Sequence, residues 1–270
     1  MNILDQIIEY KRTEVAERKS LYPVKLLEQS IYFSSPVVSL KKYLLRDDKS
    51  GIIAEIKRKS PSKGMINPYV SVERTSIGYM QAGASALSIL TDKHFFGGSN
   101  DDLTTARKFN FCPILRKEFV IDEYQLIEAK SIGADAILLI AAVLSPKEIM
   151  NFTSTAHRLG LEVLLEVHDE NEVKENLNAN VDLMGVNNRD LKTFTLNIET
   201  SKRLAPLIPK EVIKVSESGI ESTKAIIELK QYGFKGFLIG QTFMQHSRPD
   251  KAAMDFIKEL KKAESELANV

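Results

Sequence analysis

The chain has 270 residues, 43% hydrophobic and 27% charged, which is ordinary for a globular protein and fits one large domain or two small ones. Its net charge of +1 gives no electrostatic argument for a nucleic-acid or membrane partner, and no apolar run reaches the roughly 20 residues that span a bilayer. The start of the chain turns charged at Asp5, and the single cysteine, Cys112, cannot form an internal disulfide, so we expect a reducing, cytoplasmic location.

Residues 1–48 are predicted to form a helical extension. Ile3, Leu4, Ile7 and Ile8 recur at helical spacing. We interpret the charged stretch 11–19 as the solvated face of this helix rather than as a binding patch. The turn-rich stretch 47–51 ends the extension, and residues 49–270 are assigned to one barrel unit that the extension would cap.

After residue 50, short apolar strands alternate with amphipathic helices, and several helices end in glycine. The predicted strands begin near Ile52, Ala86, Pro113, Ala136, Val163, Leu183, Ile213 and Gly236. Eight such units over about 220 residues predict an α/β fold, a (βα)8 TIM barrel. A doubly wound sheet is the alternative, but the glycine-rich phosphate loop usual after its first strand is missing.

Five of these strands end in charged or amide side chains. Strand side chains alternate between faces, so parity predicts that these groups point into the barrel at its C-terminal mouth, where barrel active sites lie. The residues between them are mostly apolar and suit the helix layer. The inward polar set is Glu55, Lys57, Lys117, Glu166, Asn187, Arg189 and Glu217. A purely structural network of salt bridges is the alternative interpretation.

The polar set contains two lysines and three carboxylates. Close approach can lower the pKa of a lysine or raise that of a glutamate, as general acid–base catalysis needs. A lysine at a strand end could instead form a Schiff base with a carbonyl. The sequence leaves both roles open.

Three loops are candidates for phosphate binding. The basic loop 57–64 follows the first strand, and Pro61 disfavours helical geometry at Ser60; a solvated basic loop is the alternative. Ser218 and Gly219 follow the seventh strand, and Gly240 follows the eighth, where barrels often bind phosphate through backbone N–H groups. The four histidines show no metal-ligand spacing, so no metal is predicted.

Several phrases, in this order, resemble the indole-3-glycerol phosphate synthases of tryptophan biosynthesis. They are IAEIKRKSPSKG at 53–64, LTDKHFFGGS at 90–99, PILRKEF at 113–119, DEYQ at 122–125, LLEVH at 164–168, GVNNRDL at 185–191, SESGI at 216–220 and FLIG at 237–240. The resemblance implies a carboxy-lyase without a cofactor. Its small phosphorylated substrate would be 1-(2-carboxyphenylamino)-1-deoxyribulose 5-phosphate, and its products indole-3-glycerol phosphate, carbon dioxide and water.

The resemblance also implies roles for the strand-end residues. Lys117 is similar to the general acid of ring closure, and its charge would hold the anthranilate carboxylate. Glu166 and Lys57 are the other main acid–base residues, with Glu55 in support, and their division of the steps stays open. The implied binding residues are Asn187 and Glu217 for hydroxyls or the ring nitrogen, Arg189 for a carboxylate or a neighbouring glutamate, Ser60, Ser218, Gly219 and Gly240 for phosphate and substrate, and Phe119, Leu191 and Ile239 for the aromatic ring.

Two positions depart from the family pattern. Asn67 stands where arginine is common, and Gln241 stands where serine or glutamate is common, which questions details of phosphate binding. The alternatives are a Schiff-base lyase using Lys117 or Lys57, a catalytically silent ligand-binding barrel, and a phosphoribosylanthranilate isomerase. The isomerase is less favoured because Cys112 stands at the buried start of its strand. Association with other enzymes of the pathway is left open.

Overall fold

A computed structural model describes residues 3–191 and 193–268. The strands are β1 Ile52–Ile56, β2 Lys59–Ser60, β3 Gly64–Met65, β4 Ala86–Leu90, β5 Ile114–Lys117, β6 Ala136–Ile140, β7 Glu162–Val167, β8 Leu183–Asn187, β9 Ile213–Glu217 and β10 Phe234–Ile239. The α-helices are α1 Ile3–Leu21, α2 Val24–Leu27, α3 Leu40–Leu44, α4 Val72–Ala82, α5 Asn100–Phe109, α6 Tyr124–Ser131, α7 Pro146–Arg158, α8 Glu170–Glu175, α9 Glu199–Leu204, α10 Thr223–Gln231, α11 Gln241–Met244 and α12 Pro249–Ala268, with a 3-10 turn at Ala205–Leu207.

Eight parallel strands close into a barrel. Each of β4 to β9 pairs with the next strand in sequence, and β1 completes the ring by pairing with both β4 and β10. At the closure, Ile53 lies opposite Leu238 on one side and Ala86 on the other. The predicted (βα)8 barrel is therefore confirmed, and the doubly wound alternative is wrong.

Local sequence signals set where the helices begin and end. At the start of α7, the Ser145 hydroxyl accepts the backbone N–H of Glu148, and the Glu148 carboxylate accepts that of Ser145. At the end of α4, Gly83 adopts φ of 100°, a left-handed conformation that disfavours residues with a Cβ. Gly133 ends the α6 turn in the same way, with φ of 93°. Each stop turns the chain into the next buried strand.

The alternation of strand side chains separates two apolar layers. Ile52, Ala54 and Ile56 of β1 pack in the cluster between barrel and helices. Ile53 packs inside the barrel with residues such as Leu115. The predicted parity is thus confirmed for β1, and it directs the polar residues at the strand ends into the barrel mouth.

The residues on either side of Lys117 differ from the expectation that neighbours of the inward polar residues are apolar. Arg116 and Glu118 flank Lys117 and are 2% and 4% exposed. Both pair with helices outside the barrel strands, Arg116 with Glu128 of α6 and Glu118 with Lys11 of α1. The Arg116 guanidinium is paired with the Glu128 carboxylate of α6 and donates to the carbonyl of Gln125. Because each charge has a partner of opposite sign, the last two residues of β5 and the residue after it can all be charged in a buried place.

From residue 3 to β1 the chain forms three helices, α1 to α3, as expected for a helical extension, but the interpretation of residues 11–19 as a solvated face is wrong in part. Lys11 and Val15 are buried and Arg18 is half-buried, because α1 packs onto the barrel. Arg18 pairs with Glu128 at 2.5 Å. The division at residues 48 and 49 stays a prediction, and its outer limits, Met1 and Val270, lie outside the described residues.

Lys11 fixes α1 to the barrel mouth. Its ammonium lies 2.9 Å from Asp92 Oδ2, 2.9 Å from Glu118 Oε1 and 2.8 Å from Glu14 Oε2. Burial by itself lowers the pKa of Lys11, but the carboxylates of Glu118, Asp92 and Glu14 outweigh it and raise that pKa. The group is therefore a charged ammonium in a buried site, and α1 cannot leave without taking this cation away from the buried carboxylates of Asp92 and Glu118.

We expect Lys11→Met to lower the free energy of unfolding by about 3–5 kcal/mol, because Asp92 and Glu118 would stay buried without their cation. Denaturant unfolding checks this. Lys19→Met is the matched control on the same helix, since the Lys19–Asp122 pair is largely exposed and pairs of this kind contribute about 0–1 kcal/mol. Equal effects of the two substitutions would contradict the proposed weight of the buried cluster.

Candidate active site

A cavity of about 450 Å³ opens at the C-terminal ends of the barrel strands. It brings together every binding and acid–base residue predicted from the strand ends and loops. These lining residues are Glu55, Lys57, Ser60, Lys117, Phe119, Glu166, Asn187, Arg189, Leu191, Glu217, Ser218, Gly219 and Gly240. Parity along the strands thus located the cavity correctly, whereas the individual roles stay predictions.

Lys117 lies between two carboxylates from other strands. Its Nζ donates to Glu166 Oε2 at 2.8 Å and to Glu217 Oε2 at 2.6 Å. The second oxygen of Glu166 accepts a hydrogen bond from Asn187 Nδ2 at 3.0 Å. Side chains of β5, β7, β8 and β9 are thereby joined in one connected polar group.

Lys57 and Glu55 form a second pair in the same cavity. Lys57 Nζ donates to Glu55 Oε1 at 2.7 Å, and the other oxygen of Glu55 accepts from Ser88 Oγ at 3.3 Å. Both Lys57 and Glu55 come from the end of β1. Two ammonium groups and three carboxylates therefore face one cavity, as the sequence predicted.

Two glycines, Gly185 in β8 and Gly240 directly after β10, make room for these carboxylates. A Cβ added at Gly185 would lie 2.1 Å from Glu217 Oε1, and one at Gly240 would lie 2.5 Å from Glu55 Oε1. Neither distance is compatible with a non-bonded contact. Any larger residue at Gly185 or Gly240 would displace the carboxylate that it faces.

The pKa of Lys117 moves in the direction opposite to the lowering that the sequence analysis considered for a lysine. Burial alone lowers the pKa of Lys117, but Glu166, Glu217 and Glu55 outweigh burial and raise it. Burial opposes the charge of Glu166, yet Lys117 and His168 hold its pKa below the ordinary value. Burial raises the pKa of Glu217 to about 7, helped by Glu166 and opposed by Lys117. Lys117 is therefore an ammonium, and Glu217 is the group poised near neutral pH.

Arg189 lies at the rim of the cavity. Its Nη1 donates to the carbonyl of Phe194 at 3.2 Å, and its backbone N–H donates to Asn187 Oδ1 at 3.0 Å. Partial burial lowers its pKa. Within residues 3–191 and 193–268, the two cavity glutamates Glu166 and Glu217 pair with Lys117 rather than with Arg189, and the pairing of Arg189 with a substrate carboxylate stays a prediction.

An apolar wall faces the charged groups. The rings of Phe96 and Phe119 lie 5.8 Å apart between centroids, and Leu191 lines the same cavity. α1 contributes Ile3, Leu4 and Ile7. The sequence prediction missed Phe96 as a lining group, although Phe96 follows β4 in the quoted motif. It expected the amphipathic start of the extension to cap the mouth but named no individual α1 residue as part of the cavity wall.

The loops after β1 and β9 have defined shapes. The predicted basic loop contains a short antiparallel hairpin, in which Lys59 pairs with Met65 and Ser60 with Gly64. Ser218 and Gly219 adopt φ of 66° and 72°, so two consecutive residues after β9 are left-handed. Such strain at a non-glycine residue such as Ser218 is often found at ligand-binding sites.

The two departures from the family pattern lie in different places. Gln241 lines the cavity next to Gly240. Asn67 donates through Nδ2 to the carbonyls of Met244 and His246, both at 3.1 Å. Gln241 can therefore bear directly on the ligand, whereas Asn67 fastens the segment after the hairpin to the end of α11.

A closed parallel barrel with acid–base groups gathered in one cavity at its C-terminal mouth defines a (βα)8-barrel enzyme. The family model described as indole-3-glycerol phosphate synthase matches residues 4–259, and the chain belongs to that family. The chain is thus a carboxy-lyase of tryptophan biosynthesis that acts on a small phosphorylated substrate.

Individual relatives agree with the family match. The indole-3-glycerol phosphate synthase of Bacteroides thetaiotaomicron is 47% identical over 95% of this chain and 98% of its own length. That of Caldanaerobacter subterraneus subsp. tengcongensis is 43% identical over 90% of this chain and 93% of its own. The thiamine phosphate pyrophosphorylase structure from Pyrococcus furiosus is similar in fold alone, with a TM-score of 0.59 at 15% identity, covering 83% of this chain and 98% of its own. Across the part of the chain that the structure describes, no helix is both long and apolar enough to cross a membrane.

We expect Glu217→Gln to stabilise the protein above pH 7 and to lose this effect toward pH 4.5. The pKa of Glu217 is raised from 4.5 to about 7 in the folded protein. The folded state therefore binds the extra proton between these pH values, and stability falls as pH rises through 7. Removing the buried charge should add roughly 1–3 kcal/mol at pH 8.

Urea unfolding from pH 5 to pH 8 measures this effect. The control is Glu211→Gln, which changes an exposed carboxyl and should leave the curve unchanged. A Glu217→Gln protein that is no more stable than wild type at pH 8 would show that Lys117 compensates the Glu217 charge fully.

Proposed function

We propose that the Lys117 ammonium is the general acid of ring closure in the indole-3-glycerol phosphate synthase reaction. The aromatic carbon that bears the carboxylate bonds to the keto carbon of the deoxyribulose chain, and Lys117 protonates the keto oxygen to a hydroxyl. The carboxylate then leaves as carbon dioxide, and its electron pair restores the aromatic ring. The observation that carries this proposal is the Lys117 Nζ held between Glu166 and Glu217 inside the cavity.

Lys117 and Glu166 are coupled in a way that suits the later steps. While Lys117 is charged, it holds the pKa of Glu166 low. When Lys117 gives its proton to the substrate, Glu166 loses that neighbouring charge and becomes a stronger base. Glu166 thus gains proton affinity when dehydration requires a base to remove a proton from the carbon next to nitrogen.

The pair of Lys57 and Glu55 supplies a second acid on the β1 side of the cavity. Dehydration expels the hydroxyl made in ring closure, and an ammonium can protonate it so that it leaves as water. Lys57 is paired with Glu55 at 2.7 Å, separately from the Lys117 group. Two acid-assisted steps are therefore matched by two lysines in one cavity.

The remaining lining residues can hold the substrate. Phe96, Phe119 and Leu191 offer an apolar surface for the anthranilate ring, and Arg189 can pair with its carboxylate. The phosphate is assigned to the loops that carry Ser60, Ser218, Gly219 and Gly240. Asn187 and Glu217 are assigned to hydroxyl groups or the ring nitrogen.

The extension formed by residues 1–48 is proposed to cap the barrel formed by residues 49–270. The contribution of Ile3, Leu4 and Ile7 to the cavity wall supports this, as does the buried ion cluster around Lys11. Docked in this way, α1 excludes water from one side of the substrate.

A cytoplasmic location is proposed as well, and no nucleic-acid partner is proposed. The single cysteine, Cys112, is free and buried, and burial raises the pKa of its thiol to about 12. Cys112 precedes β5, whereas Lys117 ends it, so the thiol lies away from the cavity and does not suit the cysteine chemistry of the isomerase alternative.

We expect Lys117→Ala to lower turnover by about 10²–10⁴-fold, because the substitution removes the acid and the main cation of the cavity. Formation of the indole product, followed by fluorescence, measures it against a protein that has no tryptophan. Lys235→Ala is the control, since Lys235 also lies on a barrel strand but is exposed. A loss below tenfold with full folding would contradict the assignment of Lys117.

We expect borohydride treatment in the presence of substrate to leave the protein mass unchanged. A lysine that forms a Schiff base must be neutral, and such lysines have a lowered pKa, whereas that of Lys117 is raised. Intact-protein mass spectrometry checks this. A trapped adduct on Lys117 or Lys57 would instead support the Schiff-base alternative.

A further inference from the structure

His168 contacts the Glu166 carboxylate from the end of β7. Glu166 and His168 are two residues apart, so the alternation of the strand places both on the same side. The His168 side chain is 12% exposed, and its Nε2 lies 3.3 Å from Glu166 Oε1. His168 is not one of the described residues that line the cavity, so it reaches the substrate only through Glu166.

The second ring nitrogen of His168 is held by Glu172 of α8. Nδ1 lies 3.2 Å from Glu172 Oε2, and the same oxygen accepts the backbone N–H of His168 at 2.6 Å. The Asp169 side chain caps α8 and accepts the backbone N–H of Glu172 at 3.0 Å. The orientation of the imidazole is therefore fixed from the helix side.

Two carboxylates on opposite sides of the ring make it a cation. Burial alone lowers the pKa of His168, but Glu166 and Glu172 outweigh it and raise the pKa to about 10. The groups that meet at this point are Glu166 from β7, Glu172 from α8, Asn187 from β8 on the shared Glu166 oxygen, and Lys117 from β5 on the other oxygen. Glu166 thus has a permanent cation on the side away from Lys117.

Nε2 of His168, the ring nitrogen that faces Glu166, has no hydrogen-bond partner among the described residues. Nε2 is buried and, although it lies within ion-pair distance of Glu166, it is not aligned for a hydrogen bond. A small turn of the Glu166 carboxylate would complete that bond. Such a turn becomes favourable once Lys117 has given up its proton and no longer holds the carboxylate.

We propose that His168, held by Glu172, is a positioning residue that keeps the Glu166 carboxylate in place for its acid–base steps. This inference rests on the proposed role of Glu166. The imidazolium ensures that Glu166 does not lose both of its cationic neighbours when Lys117 becomes neutral. Glu166 can then accept a proton from the substrate instead of taking one from solvent first.

The test compares His168→Gln with wild type in kcat and KM from pH 3 to pH 11, a range that reaches toward the lowered pKa of Glu166 and extends beyond the raised pKa of His168. Glutamine keeps a donor near Glu166 but carries no charge. We expect kcat to fall by roughly tenfold, a part of what an acid–base group contributes, with little change in KM. Because loss of a nearby cation raises the pKa of Glu166, the acid limb of the kcat profile should move up by about one pH unit.

His157→Gln is the matched control. His157 also faces a carboxylate, Asp182 at 2.8 Å, but it lies on α7 away from the cavity. This variant should reproduce the wild-type pH profile. Glu172→Gln gives a second, independent readout: without this carboxylate the pKa of His168 falls, so the alkaline limb of kcat should move to lower pH.

A His168→Gln enzyme with the wild-type kcat and acid limb would overturn the inference. A uniform loss without a shift of either limb would also overturn it, since that is the mark of a structural role. If His168→Gln does not fold, the alkaline limb of Glu172→Gln decides the question. Glu166→Gln distinguishes a failure of the proposed role of Glu166 from a failure of the role of His168. If Glu166→Gln keeps full turnover, the proposed role of Glu166 is wrong. If Glu166→Gln loses turnover while His168→Gln behaves like wild type, only the role of His168 is wrong.

Discussion

The ammonium of Lys117 is stable inside the barrel because carboxylates from two other strands reach it. An isolated charge there would be strongly unfavourable, and each glutamate would be unfavourable without the lysine. The barrel supplies this balance by geometry: β5, β7 and β9 end at the same mouth, and their last inward side chains meet. The same geometry that stabilises the group also presents an acid and two bases to a substrate in the cavity.

The end of β5 serves two ionic clusters at once. Lys117 points inward to Glu166 and Glu217, whereas the next residue, Glu118, accepts the Lys11 ammonium of α1. Glu118 also receives the backbone N–H of Phe119, and Asp92 receives those of Phe95 and Phe96. The carboxylates that bind Lys11 therefore also hold the backbone of Phe96 and Phe119 in the apolar wall. The position of α1 and the shape of the cavity depend on the same two side chains.

Among its core groups the site has three glutamates but only two lysines, and Glu217 is the glutamate whose ionisation is opposed most strongly. Its pKa is raised because burial and Glu166 oppose its ionisation more than Lys117 favours it. A group of this kind lowers stability at neutral pH but titrates where an enzyme works. The glycine at position 185, which leaves room for the Glu217 carboxylate, is part of the same arrangement.

The sequence by itself determined the barrel and the set of residues in its mouth. Both follow from local regularities, namely strand and helix periodicity, helix-ending glycines such as Gly83, and the two-residue alternation that sends Glu55, Lys57, Lys117, Glu166 and Glu217 to one face. Tertiary structure decided which of these groups pair and in which direction their pKa values move. It also placed Lys11 in a buried cluster, although its charged neighbours predicted a solvated face, and it brought Glu172 to the far side of His168. These outcomes depend on distances between side chains from different elements and on their exclusion from water, which exist only once the barrel closes and α1 docks.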